Sequence, residues 1–235
     1  MLSCNPVRLL KALPCKSEEE TSLYTDFEVH VKNIGTSDER TVKIHYRKDS
    51  SWIDKRLDLK RVYPTHSLYK GSVDFSELEF VVNYENSEGS FWDNNNGRNY
   101  KVAGFGRGEV GGNTGLLEGK TLRQAFYKFG HILPYYGIEG RLYLKNLGYK
   151  KHAGFRVSID GGVNWQDISA IYDSNLSGGI EIWRVMSVFI SIGEGKSPHF
   201  LFAVYYIDCE TGRTYWDNNF GENYLLKKVL DAEVQ

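Results

Sequence analysis

The chain has 235 residues, of which 29 are Lys or Arg and 30 are Asp or Glu, so its formal net charge is −1. That length suits one large domain or two of the commonest size, and the balanced charge excludes a general electrostatic attraction to nucleic acid or to an anionic membrane. No run of 18 apolar residues is present, so the sequence predicts no membrane-spanning helix.

The three cysteines, Cys4, Cys15 and Cys209, stand at spacings that fit neither a disulfide framework nor a zinc motif. Prolines and basic residues interrupt the first 20 residues, whose apolar runs are too short for a secretory signal. We therefore expect a reducing environment and a cytoplasmic location.

Short segments with apolar residues at alternate positions recur along the chain, and this alternation predicts β-strands. In FEVHVKN, Phe27, Val29 and Val31 are expected to face a core, whereas His30 falls on the polar face. The same pattern is found in TVKIHY, LEFVVNY, LYLKN, FRVSI and FLFAVYY. The segment Leu122–Gly130 allows a short helix or a strand, and its position favours the strand. No long segment carries a helical apolar stripe, so we predict an all-β protein.

Two strings of ten residues, FWDNNNGRNY from Phe91 and YWDNNFGENY from Tyr215, agree at seven positions. Other pairs keep the same order: FEVHVKNIG matches GRLYLKNLG at an offset of 113, and FVVNY matches FAVYY at an offset of 122. Ordered offsets that grow in steps indicate a tandem duplication. We place the first copy at 5–104, a glycine-rich linker at 105–118 and the second copy at 119–228.

Sequence motifs for catalysis or metal binding are absent. GLLEGKT lacks the first glycine of a phosphate loop, and counting from Asp93 puts glycine at the fifth and not the sixth position that a calcium loop requires. The six histidines are scattered along the sequence, and no motif nominates the paired carboxylates of a glycosidase, although the sequence does not exclude such a pair. We predict no enzyme, no metal and no cofactor.

The repeated string combines residue types that suit a neutral sugar. A tryptophan stacks on the C–H face of a pyranose, and asparagine both donates to and accepts from hydroxyl groups. The alternative is that Trp92 and Trp216 are core residues beside a turn built by the amides. Adjacent residues of a strand point to opposite faces, so Phe91 and Trp92 cannot both be core. We favour a ligand role for the tryptophans, and expect Asp93 and Asp217 to brace the turn while Tyr100 and Tyr224 pack in the core.

The order VKN, W, EFVVNY and WDNNNGRNY in copy one resembles the family 21 carbohydrate-binding module, which occurs in fungal glucoamylases and in glycogen-targeting subunits of protein phosphatase 1, and both copies carry its signature WDNN-x-G-x-NY. The resemblance covers nearly the whole chain. It implies two immunoglobulin-like antiparallel β-sandwich domains in tandem that bind α-glucans such as starch or glycogen without hydrolysing them.

The resemblance also implies site residues. A first glucan site in each copy would use an asparagine after an early strand, a following tryptophan and the late string: Asn33, Trp52, Trp92, Asn94 and Asn99 in copy one, and Asn146, Trp165, Trp216, Asn218 and Asn223 in copy two. Val81 and Ala203 stand where some members have tyrosine, so the stacking area is reduced unless Tyr205 compensates.

A second site, where the family has one, uses a tyrosine and a lysine soon after the early asparagine and a later aromatic residue. In copy two these resemble Tyr149, Lys151 and Tyr172. Copy one has Thr36 in place of the first aromatic, and Tyr63 alone matches. We therefore expect the second copy to hold the more complete set.

These observations favour a non-catalytic, lectin-like α-glucan-binding protein whose two modules act together on a polysaccharide or oligosaccharide. The alternative is a glycogen-targeting regulatory or scaffold subunit with a phosphatase or another glycogen-metabolism protein as partner. The phosphatase-docking pattern is Arg or Lys, then Val, then any residue, then Phe or Trp, and it is not met. RTVKI at Arg40–Ile44 ends in isoleucine, and Trp183–Phe189 places phenylalanine two residues too late. Both segments also fall in predicted strands.

Overall fold

The computed structural model describes residues 5–16, 22–33, 40–104, 108–128, 131–176, 179–191 and 199–226, and for 118–134 and 187–191 it describes the backbone alone. These residues form strands and turns, with no helix that could cross a membrane. The chain divides into two compact units. Unit 1 comes chiefly from Met1–Asn113, and unit 2 chiefly from Thr114–Ser174 and Glu181–Asn218.

Unit 1 contains two antiparallel sheets. Its strands are β1 (Val7–Lys16), β2 (Leu23–Lys32), β3 (Thr41–Lys48), β4 (Ser51–Arg56), β5 (Asp58–Val62), β6 (His66–Val73), β7 (Glu77–Asn86), β8 (Gly89–Asp93), β9 (Tyr100–Ala103) and β10 (Glu109–Val110). One sheet has the order β10-β1-β2-β6-β5, and the other has the order β4-β3-β7-β8 with β9 also pairing with β7.

Unit 2 contains one continuous path of strands. They are β11 (Thr114–Lys128), β12 (His131–Lys145), β13 (Lys151–Ser158), β14 (Gln166–Leu176), β15 (Ile180–Ser191), β16 (Phe200–Asp208), β17 (Arg213–Asp217) and β18 (Tyr224–Leu226). The order is β11-β12-β15-β14-β13-β16-β17, and β18 also pairs with β16.

The two units repeat one strand order. Unit 1 reads β1-β2-β6-β5 and then β4-β3-β7-β8, and in unit 2 the single strand β14 stands where unit 1 has β5 and β4. Leu57 separates those two strands: its side chain is buried and its backbone N–H donates to the carbonyl oxygen of Val42 at 2.8 Å. The two units thus share a strand order, and the tandem duplication stays a prediction from the sequence.

Each unit has its own hydrophobic core. In unit 1 the core takes residues from both sheets, such as Phe27 and Val29 from β2 and Phe80 and Val82 from β7. Phe27 and Phe80 meet edge to face, with ring centroids 5.0 Å apart. The core of unit 2 is built from β11–β18. Alternation of apolar residues along these strands explains both cores, because successive side chains point to opposite faces of a sheet.

The described strands confirm the all-β prediction and the strand assignment of Leu122–Lys128, which lies in β11. Two expectations differ from the structure. Within the predicted linker 105–118, Glu109–Val110 form β10, which pairs with β1. Strand β11 already begins at Thr114. Glycine content suggested a linker here, but the backbone of these residues is paired in strands. His30, assigned to the polar face, is buried and its ring centroid lies 4.6 Å from that of His66.

Candidate functional site

The repeated string forms the same turn in both units. Positive φ angles occur at Asn95, Asn96 and Asn99 in the first, and at Asn219 and Asn223 in the second. Asparagine tolerates this left-handed conformation better than other side chains apart from glycine, which explains much of the amide content. Each turn is closed by a backbone hydrogen bond: Asn99 donates to Asn94 at 2.9 Å, and Asn223 donates to Asn218 at 2.7 Å.

The aspartate at the end of β8 braces the first turn, as the sequence predicts. The carboxylate of Asp93 accepts hydrogen bonds from the backbone N–H of Leu9 at 2.7 Å and from the hydroxyl of Tyr100 at 2.9 Å, and more weakly from the N–H of Asn95 at 3.3 Å. Burial raises the pKa of this carboxyl, and the donated hydrogen bonds oppose the shift. Tyr100 itself packs in the core.

The second turn repeats this brace. The carboxylate of Asp217 accepts from the N–H of Leu116 at 2.9 Å and from the hydroxyl of Tyr224 at 2.7 Å. Asp217 and Tyr224 are both buried. In both units the aspartate thus joins the end of one strand to the first strand and to a core tyrosine, which is a structural role.

The tryptophans that precede these aspartates are exposed, and the alternative that they are core residues is wrong. The exposed fractions of the four repeated tryptophans are alike: 41% for Trp52, 45% for Trp92, 40% for Trp165 and 44% for Trp216. Their neighbours Phe91 and Tyr215 pack against the cores instead, as strand alternation predicts. At these equivalent positions four indoles thus remain partly uncovered.

In unit 1 a histidine lies between the two tryptophans. The ring of His45 stacks on Trp52 with centroids 4.9 Å apart and planes 8° from parallel, and meets Trp92 edge-on at 5.6 Å. Its Nδ1 lies 2.6 Å from Oδ1 of Asp54. We call Trp52, His45 and Trp92 the unit 1 platform. It is a connected aromatic surface on β3, β4 and β8.

In unit 2 an arginine takes the same position. The guanidinium of Arg156 lies 5.0 Å from the ring centroid of Trp216 and makes two hydrogen bonds to Asp167, at 2.7 and 2.8 Å. Tyr205 lies opposite Trp216 in the strand register, with ring centroids 6.0 Å apart. Trp165 stands two residues before Asp167 and its indole N–H donates to the carbonyl oxygen of Gly162. We call Trp165, Arg156, Tyr205 and Trp216 the unit 2 platform.

Strand register makes the two platforms equivalent. His45 pairs with Asp54 across β3 and β4, and Arg156 pairs with Asp167 across β13 and β14. The sequence prediction missed both His45 and Arg156. Each was marked as an outward-facing residue by strand alternation, but their position beside a tryptophan becomes visible only once the register is known.

The late asparagines predicted as hydroxyl clamps lie in the turns beside the platforms. In unit 1 the side-chain oxygen of Asn94 accepts from the N–H of Gly97 at 3.0 Å, and the amide of Asn99 donates to Glu79 at 2.6 Å. In unit 2, Asn218 is exposed and Asn223 is half-buried. The amides of Asn94 and Asn99 therefore already shape their turn.

The early asparagines take contacts elsewhere, so the structure does not group them with the tryptophans. Asn33 donates to the carbonyl oxygen of Tyr63 at 2.7 Å and accepts from the hydroxyl of Ser67 at 2.7 Å. These contacts lie beside β6, in the sheet that does not carry Trp52 or Trp92. The sequence order suggested one site because it holds no information on which sheet each residue joins.

Asn146 belongs to a second group of side chains in unit 2. Nζ of Lys151 donates to Oδ1 of Asn146 at 2.6 Å and to Oε1 of Glu181 at 2.9 Å. The other carboxylate oxygen of Glu181 accepts from the indole N–H of Trp183 at 2.8 Å, and that indole meets the exposed ring of Tyr172 edge-on at 6.3 Å. We call these five residues the polar–aromatic group. Sequence analysis found three of them and missed Glu181 and Trp183.

Tyr149 lies in the loop between Asn146 and Lys151 and is 93% exposed. Its backbone N–H donates to Glu210 at 2.9 Å, which fixes the loop and leaves the phenol ring uncovered. In unit 1 Thr36 lies outside the described residues, and the ring of Tyr63 is stacked on His66 with centroids 4.6 Å apart. The described part of unit 2 thus presents more of the residues predicted for the second site than the described part of unit 1 does. Within the described ranges no cluster of metal-ligating side chains occurs.

Comparison with known proteins finds similarity over part of the chain. Residues 130–227 match the sequence profile described as carbohydrate/starch-binding module (family 21). Protein phosphatase 1 regulatory subunit 3C of Xenopus tropicalis is 32% identical over 93 residues, covering 39% of this chain and 39% of the relative.

Two further relatives match over similar lengths. Glycogen-binding subunit 76A of Drosophila melanogaster is 33% identical over 94 residues, or 38% of this chain and 13% of the relative. Human protein phosphatase 1 regulatory subunit 3B is 30% identical over 106 residues, or 44% of this chain and 35% of the relative. The chain thus spans well under half the length of each of these relatives. The residues that match the family 21 profile, 130–227, make up less than half of the chain.

Proposed function

We propose that the chain is a non-catalytic, lectin-like α-glucan-binding protein made of two linked family 21 modules, with 5–104 as the first and 119–228 as the second. The observation that carries the proposal is the pair of exposed tryptophans that occupies equivalent positions in both units. The repeated strand order and the two-sheet core of unit 1 support an immunoglobulin-like sandwich for each module. The family match to residues 130–227 supports the ligand class.

The chemistry of the platforms suits a glucan. Indole rings offer flat apolar area to the C–H face of a glucose unit, and neighbouring amides and charged groups offer donors and acceptors to its hydroxyls. In this proposal Trp52 and Trp92 stack on sugar in unit 1, and Trp165 and Trp216 do so in unit 2. The late amides line the rim, and they comprise Asn94, Asn99, Asn218 and Asn223.

The polar–aromatic group provides the second binding surface of unit 2. Tyr172 and the nearby loop residue Tyr149 present exposed rings, and Nζ of Lys151 donates a hydrogen bond to Asn146. Unit 1 offers Asn33 and Tyr63 at the related positions, but Tyr63 is half-buried and its ring is stacked on His66, whereas both unit 2 tyrosines are exposed. Unit 2 therefore carries two glucan surfaces, and unit 1 carries one.

Sedimentation with insoluble starch tests this function. We expect the wild-type chain to sediment with starch, and Trp216→Ala together with Trp165→Ala to weaken this binding while the circular dichroism spectrum stays unchanged. Leu59→Ala, which trims an exposed apolar side chain on β5, is the matched control. Unchanged sedimentation of the tryptophan variant would show that the unit 2 platform is not the site. Release of reducing sugar from amylose, abolished by one carboxylate substitution, would instead indicate a glycosidase.

The second candidate is a glycogen-targeting regulatory or scaffold subunit in the cytoplasm, with a phosphatase as protein partner. The names of the relatives, regulatory subunits of protein phosphatase 1, favour it. The segments closest to a docking motif, Arg40–Ile44 and Trp183–Phe189, run into β3 and lie in β15 respectively, where backbone pairing leaves no free peptide. Capture of the phosphatase catalytic subunit by the immobilised chain would support this role, and its failure alongside starch binding would leave the glucan-binding role alone.

A further inference from the structure

The side chain at the centre of each platform differs between the two units. His45 and Arg156 occupy equivalent positions, since each lies opposite an aspartate on the neighbouring strand and each contacts a platform tryptophan. Both can place a positive charge between an indole and a carboxylate. Their difference is that an arginine is always charged, whereas a histidine changes its charge between about pH 5 and 8.

In unit 2 the charge is permanent. Arg156 makes two parallel hydrogen bonds to Asp167, the geometry that holds a guanidinium most firmly. The same contact raises the pKa of Arg156 and lowers that of Asp167. The guanidinium then lies 5.0 Å from the ring centroid of Trp216, within range of a cation–π interaction. Trp216 is therefore supported by a charged group at every pH of interest.

In unit 1 the corresponding contacts depend on protonation. Nδ1 of His45 and Oδ1 of Asp54 are 2.6 Å apart, and the imidazole lies parallel to Trp52. A protonated ring would gain an ion pair with Asp54 and a cation–π interaction with Trp52 together. A neutral ring keeps the stacking contact but loses the ion pair and the charge over the indole.

The other charged groups near this face nearly balance one another. Nζ of Lys43 lies 3.0 Å from Glu85 and 3.7 Å from Asp54, and Arg47 lies 4.0 Å from Glu79. On the strands around His45, which are β3, β4, β7 and β8, the cations are Lys43, Arg47, Lys48, Lys55 and Arg56, and the anions are Asp54, Glu77, Glu79, Glu85 and Asp93. Val81 faces His45 from β7 and does not titrate. Asp54 is the charged group in direct contact, so protonation of His45 meets a favourable partner.

We propose that His45 is a positioning residue that holds the unit 1 platform in its binding arrangement when protonated, so that glucan affinity of unit 1 rises as the pH falls from 8 to 5.5. Arg156 holds the unit 2 platform without such dependence. This inference rests on the proposed glucan-binding function. The glucan affinity of unit 1 then depends on pH, and that of unit 2 does not.

The test isolates unit 1 in the full chain. Trp216→Ala and Tyr172→Ala remove one aromatic ring from each surface of unit 2, and affinity for soluble amylose is then measured from pH 5.5 to 8. We expect the affinity to fall about two- to fivefold over this range, the size expected for one exposed cation–π contact. Adding His45→Arg should copy unit 2 and hold the affinity level at all pH values, and adding His152→Gln should leave the pH profile as it was.

A reciprocal variant provides an independent check. Arg156→His, made in a chain whose unit 1 platform is disabled by Trp92→Ala, should transfer pH dependence to unit 2. In the chain with Trp216→Ala and Tyr172→Ala, an amylose affinity that does not change with pH would overturn the inference. So would an amylose affinity that keeps its pH dependence after His45→Arg is added. Either result would leave the proposed function intact. Absence of amylose binding at every pH in all variants would contradict the proposed function itself.

A readout without ligand separates these outcomes further. Near-ultraviolet circular dichroism reports the asymmetric packing of tryptophan, so the ligand-free chain should show a transition between pH 5.5 and 8 that His45→Arg removes. A wild-type spectrum without this transition would show that protonation does not reorganise the platform. A transition with level amylose affinity would show that reorganisation has no effect on binding, which also overturns the inference.

Discussion

At the scale of single residues, the repeated string separates into positions with different roles. Asp93 and Asp217 are internal hydrogen-bond acceptors, Trp92 and Trp216 are exposed plates, and several asparagines serve turns with positive φ angles. Strand alternation predicted that only one aromatic of each adjacent pair could pack in the core. The same reasoning placed His30 at the surface incorrectly, because alternation describes one strand and does not show what covers its outer face.

The brace in unit 2 leads to a stability prediction. Asp217→Ala removes the acceptor for the N–H of Leu116 and for the hydroxyl of Tyr224, and the loss of a hydrogen bond to a charged group costs about 1.5–3 kcal/mol. Asp217→Asn retains a carbonyl acceptor and should cost less. Urea unfolding of the two variants measures the difference. Equal stability of Asp217→Ala and wild type would contradict the bracing role.

The ion pair of the polar–aromatic group leads to a second stability prediction. Lys151 and Glu181 are both largely buried, with side-chain exposures of 6% and 11%. Glu181→Gln leaves the ammonium without its counter-ion, and breaking such a pair costs on the order of 3 kcal/mol. Lys151→Met combined with Glu181→Gln should be less damaging, since no charge is left behind. Thermal unfolding that ranks the double variant below Glu181→Gln would argue against a buried ion pair.

At the scale of elements, the hairpin between β13 and β14 positions Trp165. Asp160 lies in this loop, where its carboxylate accepts from Ser158 and from the backbone and side chain of Asn164. Apolar alternation in FRVSI predicted β13, but neither β14 nor the hairpin was predicted. Alternation did not reveal the loop's internal bonds, or the break between β4 and β5 at the buried Leu57, because those depend on contacts distant in the sequence.

This loop leads to a pH prediction. Hydrogen bonds from the backbone and side chain of Asn164 lower the pKa of Asp160 from 3.8 to about 2. A carboxyl whose folded pKa lies below its unfolded pKa contributes stability that is fully present above the unfolded value and is lost as the pH falls through the folded value. Wild type should therefore unfold at a higher temperature than Asp160→Asn at pH 6, and the difference should vanish toward pH 2. A difference that persisted unchanged at pH 2 would contradict this assignment.

At the scale of the whole molecule, ordered offsets in the sequence predicted a tandem duplication, and the two units do share one strand order. The division between Asn113 and Thr114 was not predicted, since glycine content suggested a linker where strands β10 and β11 lie. The grouping of site residues was also partly hidden. Asn33 and Asn146 follow β2 and β12, each of which pairs on one side with a strand distant in the sequence, β6 and β15 respectively.

Two units on one chain should gain most on a polymeric ligand. Linking two binding units makes the second binding event intramolecular and raises the apparent affinity by about 10²–10⁴-fold when both engage. We expect Trp92→Ala to weaken binding to glycogen strongly, but to change the average affinity per site for a short maltooligosaccharide much less. Calorimetric titration with the two ligands measures this. An equal loss on both ligands would indicate that the units act separately.

The central claim is that exposed tryptophans in both units bind α-glucan. Electrophoresis in native gels containing amylopectin tests it most directly, with wild type, Trp92→Ala, Trp216→Ala and the double variant compared in one gel. The account predicts that amylopectin slows the wild-type chain, slows each single variant less, and slows the double variant least of all, while unfolding temperatures stay alike. A double variant retarded as strongly as wild type would contradict the account.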